Sequence, residues 1–119
     1  MQLDIEVWLR GDDFATTHVV EVSLADPPAW SDSDVRLVLE ELLRAIDRAK
    51  HPEKPTDRPV TLRGFSWIVN RFETGVLLSV EIQLGAAAAG PFSIDQQRLE
   101  SMVGRVIAAP KPTGSPRVH

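Results

Sequence analysis

His18 is the first residue of the chain that could do chemistry, because it follows the acidic turn Asp12-Asp13 by only a few residues. An imidazole oriented by a carboxylate titrates near neutral pH and suits a general base. The candidate catalytic set is therefore His18, Asp12 and Asp13. Against it stands the ordinary fate of a lone histidine at a strand end, which is to pack and hydrogen-bond. His51, in Lys50-His51-Pro52-Glu53, reads as a cation at a helix C-terminus, and His119 ends the chain. With three scattered histidines, no histidine pair at i, i+4 and no cysteine, no metal site, disulfide or thiol nucleophile is expected. Dinucleotide, Walker and Gly-x-Ser-x-Gly motifs are absent, and no cofactor is expected. The run Gly85-Ala86-Ala87-Ala88-Ala89-Gly90-Pro91 is small enough to cradle a phosphate but lacks the lysine and hydroxyl that would follow. It reads as a loop, its alanines hemmed in by glycine and proline.

The elements that must position these residues are legible in the periodicities. Gln2 to Arg10 alternates with Leu3, Ile5, Val7 and Leu9 on one face, and from Thr16 a second alternation places His18, Val20, Val22 and Leu24 together. The two form a hairpin. Ala25 to Ala29 is a proline-bearing loop. From Trp30 to Ala49, Val35, Val38, Leu39, Leu42, Leu43 and Ile46 recur at helical spacing, with Ser31 and Asp34 as a capping box, Trp30 as a hydrophobic staple on Val35, and Arg48, Lys50, His51 and Pro52 at the exit. His51 to Pro59, with three prolines, is an extended connector. Strand three spans about Val60 to Asn70, Arg71 to Gly75 turns the chain, and Val76, Leu78, Val80, Ile82 and Leu84 mark a central fourth strand. Ser93 and Gln96 cap a second helix carrying Leu99, Met102, Val103 and Val106. Pro110 to His119 reads as a disordered tail.

These elements give an α+β domain over residues 1–109 in the order ββαββα. The expected arrangement is a four-stranded antiparallel sheet with both helices on one face. Sliding the chain by 60 residues superposes the core positions and nine identities among 59 aligned pairs, suggesting duplication of a ββα unit over about 1–50 and 60–109. The order of helix, His51-Pro52-Glu53, hairpin and capped helix resembles the topology of the pterin-4a-carbinolamine dehydratase fold. That family's motif has a doubled histidine before the proline, where this chain has Lys50-His51, and a further histidine after the later strand, where it has Gly85 and alanines. The resemblance is one of topology, and its chemistry is not carried over.

Composition narrows the function classes. The 119 residues are enough to bury roughly two thirds of the unfolded surface in one core, and 43% hydrophobic with 25% charged residues is ordinary globular usage. No apolar run approaches a membrane span. The N-terminus lacks the pattern of a signal peptide, so a cytoplasmic location is expected. A net charge of −4 without segregated basic residues argues against nucleic acid. What remains is the sheet face turned from the helices, where Trp8, Val19, Ile68 and Leu77 stand among Asp4, Glu6, Glu21, Ser79, Glu81 and Gln83. Four large apolar groups there suggest an interface. The expectation is a non-enzymatic interaction or assembly module that uses its sheet face or edge, with a protein partner or a second copy in a homodimer. The alternative is a small-molecule-binding protein or minor enzyme with its site near His18 and the Asp12-Asp13 turn.

Overall fold

A computed structural model of the chain describes residues 1–53 and 60–108. Among the described residues five strands and two helices follow one another as β1 (Gln2–Leu9), β2 (Thr16–Glu21), α1 (Asp32–Lys50), β3 (Ser66–Phe72), β4 (Gly75–Ile82), β5 (Gly85–Phe92) and α2 (Gln96–Ala108), with a 3-10 turn at Pro27–Ala29 before α1. The class is α+β, as expected, and the sheet is antiparallel throughout, in the order β2-β1-β5-β4-β3. Most of the 51–59 connector and all of the 110–119 tail lie outside the described residues.

The strand count corrects the sequence reading from four to five, because Gly85–Phe92 is a strand at the centre of the sheet. Alanine has little strand propensity of its own, but here β1 and β4 pair with the segment from both sides, and tertiary context overrides propensity. Ala87 and Ala89 are buried beneath α1 while Ala86 and Ala88 face the other way. Small side chains are required for close approach. A Cβ on Gly85 would collide with the Trp8 carbonyl oxygen, so only glycine admits the β1 backbone there. At the other end Gly90 has φ +124° beside a register shift between Val76 and Leu78, a conformation that strains any residue with a side chain.

Other boundaries move for local reasons. β3 begins at Ser66, after Gly64 takes a positive φ, and it runs on to Phe72 because Glu73 and Thr74 suffice to turn it into β4. At α2, Asp95 replaces Ser93 as the cap: its Oδ2 accepts the Arg98 N–H at 2.9 Å. Gln96 is then free to donate from Nε2 to the Val69 carbonyl at 3.1 Å, tying α2 to β3. The entry of α1 is as expected, with the Ser31 N–H donating to Asp34 Oδ2 at 2.9 Å.

The core lies between the sheet and both helices. Leu3, Ile5 and Val7 of β1 and Leu78 and Val80 of β4 meet Val35, Val38, Leu39, Leu42 and Ile46 of α1, with Leu99, Met102, Val103 and Val106 of α2 alongside. Trp30 closes one end at 1% exposure, its ring 4.8 Å from that of Phe92 and its Nε1 donating to the Ala25 carbonyl at 2.8 Å. Arg98 donates from Nη2 to the Trp30 carbonyl, and Arg105 grips Asp32 with two hydrogen bonds of 2.9 and 3.0 Å, joining α2 to the start of α1. The elements related by the 60-residue shift are not equivalent in the sheet: β1 is an inner strand and β3 an edge, β2 an edge and β4 inner. A duplication does not express itself as a symmetry of the sheet. Nor does the hairpin β3-β4 lead directly into the second helix, as the topological resemblance requires, because β5 intervenes.

Candidate functional site

With both helices on one side, the opposite face of the sheet is left open. Strand pairing fixes its side chains. Asp4, Glu6 and Trp8 of β1 stand opposite Val19 and Thr17 of β2 on one flank and opposite Ala88 and Ala86 of β5 on the other. Ser79 of β4 pairs with Ala88 and with Ile68 of β3, and Leu77 pairs with Asn70. Of the seven large apolar side chains exposed among the described residues, Trp8, Val19, Ile68 and Phe72 all lie on this face, so the excess is not scatter.

The four sequence-selected residues do not form a single cluster. Val19 is on one edge strand and Ile68 on the other, four strand spacings or about 19 Å apart. Trp8 and half-buried Leu77, in contrast, border one groove of ≈ 470 Å³. Its floor is Ala88 and Gly90, its β1 wall is Asp4, Glu6 and Trp8, and Leu77, Phe72 and Pro91 close the far side. The groove exists because the central strand carries methyl groups or hydrogen where its neighbours carry long side chains. Phe72 escaped the sequence reading, although the alternation Ile68, Asn70, Phe72 points to it once the strand is carried past Asn70.

His18 is on the other face. It is half-buried on β2, its Nε2 lies 2.9 Å from Thr16 Oγ1, and burial first, then the positive charge of Arg48, push its pKa below the ordinary histidine value. Asp12 and Asp13 are exposed in the β1-β2 turn, where the Asp12 N–H donates to the Leu9 carbonyl, and among the described residues no hydrogen bond joins either to His18. His51 is the C-cap of α1, its N–H donating to the Asp47 carbonyl at 2.8 Å. Among the described residues no three histidines, carboxylates or cysteines gather into a metal-binding group, and no helix is long and apolar enough to cross a membrane.

Compared with known proteins, the chain matches no family model, no curated sequence and no solved structure at a significant level. Function must be argued from the open face itself.

Proposed function

We propose that this chain is a non-enzymatic interaction module that docks a protein on its open sheet face. The observation that carries this reading is the groove, in which Trp8, Phe72 and Leu77 surround a floor of Ala88 and Gly90 at the centre of a face that no helix covers. Large apolar groups around a concavity, rimmed by carboxylates, are the anatomy of an interface with an anchor pocket. The partner is another protein or a second copy, the latter giving a homodimer. A small-molecule or catalytic site at His18 draws on no such convergence, since among the described residues no hydrogen bond joins Asp12 or Asp13 to it.

Photo-cross-linking in cells tests the proposal. A benzophenone side chain replacing Ser79, at the centre of the open face, should trap adducts that one replacing Leu37, exposed on α1, does not. Adding Trp8→Glu and Leu77→Glu should abolish them while circular dichroism stays native, because a carboxylate forced into an interface without a partner costs several kcal/mol. Equal adduct yields from the two positions, or yields untouched by the double substitution, would refute it.

A further inference from the structure

The open groove has a property that its apolar walls do not explain, an uncompensated negative charge. Asp4 and Glu6 are two residues apart on one face of β1, so their Cα atoms are about 7 Å apart, and Trp8 follows in the same line. The cations of this face are engaged elsewhere. Arg10 lies 3.8 Å from Glu81 and donates from Nε to the Gln83 carbonyl, and the N-terminal ammonium pairs with Glu21 at 2.9 Å. Neither Asp4 nor Glu6 has an ion-pair partner among the described residues, and Asp4 receives only the Gln2 side-chain amide at 3.4 Å.

Resting on the reading of this face as a protein interface, we infer that its occupant is a segment of a different protein presenting a lysine or arginine flanked by apolar side chains. The cation lies against the Asp4 and Glu6 carboxylates and the Trp8 ring, which attracts positive charge through its π face, and the apolar neighbours pack on Leu77 and Phe72. A volume of ≈ 470 Å³ has room for more than one side chain. Charge also decides against a second copy. A twofold pairing of this face would bring the unpaired Asp4 and Glu6 carboxylates of one protomer toward those of its partner, with no free cation of the face to offset them, in a chain whose net charge is already −4. A basic segment turns the same carboxylates into attraction and steers its own approach.

Three peptides of equal length and equal leucine content, differing only in carrying lysine, glutamine or glutamate at their polar positions, are titrated into 15N-labelled protein. The Trp8 indole and the amides of Asp4, Glu6 and Ala88 report occupancy. The lysine peptide should move these signals and bind about tenfold more tightly than the glutamine peptide at low salt, the advantage shrinking in about 0.5 M salt. An Asp4→Asn, Glu6→Gln double variant should bind the two peptides equally. If lysine and glutamine peptides bind the groove of the native protein with equal affinity, or the glutamate peptide binds better, the charge inference is wrong and the interface reading survives. If no peptide moves these signals but diluting the protein does, the occupant is a second copy and again only the inference falls. Silence of the face toward both peptides and dilution overturns the two together.

Discussion

Replacing Trp30 with alanine should remove more stability than any other single truncation near the helix entry. The side chain is 1% exposed, stacks at a tilt on Phe92 with centroids 4.8 Å apart, and donates its indole N–H to the Ala25 carbonyl at 2.8 Å. Burying about 200 Å² of aromatic surface at about 25 cal/mol per Å² contributes about 5 kcal/mol. Residual burial in the unfolded chain lowers this to about 3 to 4 kcal/mol. Losing the hydrogen bond removes about 1 kcal/mol more. The expected loss is therefore about 4 to 5 kcal/mol, within the range of large aromatic truncations. With a urea slope of about 2 kcal/mol/M, the unfolding midpoint followed by circular dichroism should fall by about 2 M. Trp30→Phe separates the contributions, retaining most of the burial and losing about 1 to 2 kcal/mol. A double-mutant cycle of Trp30→Ala with Phe92→Ala should return a coupling of about 0.5 to 1.5 kcal/mol for the ring pair. A loss below about 2 kcal/mol for Trp30→Ala, or no coupling to Phe92, would refute the claim that this ring locks the entry of α1 to the end of β5.

His18 supplies a pH dependence. Its folded pKa is depressed from 6.5, so the unfolded imidazole takes up a proton first, and stability should fall as pH drops below about 6.5. His18→Gln should flatten that segment of a midpoint-against-pH plot, and an unchanged slope would place the titration elsewhere. Gly85→Ala should cost about 2 to 3 kcal/mol, because its new Cβ meets the Trp8 carbonyl, whereas Gly104→Ala, with open space around it in α2, should stabilise by about 0.5 to 1 kcal/mol. Reversed signs in urea titrations would show that β1 and β5 do not approach so closely. Ala87→Leu should cost about 1 to 3 kcal/mol by overpacking beneath α1. Ala88→Leu should leave the midpoint within about 0.5 kcal/mol and abolish the cross-links from Ser79 by filling the groove.

Elements whose own residues carry the signal were legible in the sequence. The start of α1 is written in Ser31 and Asp34, its buried stripe in the spacing from Val35 to Ile46, and the core face of β1 in Leu3, Ile5 and Val7. β5 was not legible, because nothing about Gly85 to Pro91 favours a strand until two neighbours offer hydrogen bonds on both sides. The second cap was misplaced by two residues since Ser93 and Asp95 are both good caps, and the choice depends on Gln96 reaching Val69 of a distant strand. The candidate site divides in the same way. Parity alone placed Trp8 and Leu77 on the open face, but only the position of β5 between their strands converts two scattered apolar residues into walls of one groove.

The alanine run that escaped the sequence reading is also the segment on which both faces of the molecule depend, for opposite reasons. On the helix side, Ala87 and Ala89 are small because α1 lies directly on them, and a larger residue would lift the helix from the sheet. On the open side Ala86 and Ala88 are half-buried by their strand neighbours, but among the described residues no helix lies over them, so helix packing sets no limit on their size. Sheet stability would be better served there by β-branched or aromatic residues, which pack across neighbouring strands. Alanine at position 88 thus sacrifices cross-strand contact in the middle of a five-stranded sheet, and what the sheet receives in exchange is the depth of the groove. A fold selected only for stability has no reason to keep that floor low, and the low floor therefore supports the proposal that this face admits another protein's side chains.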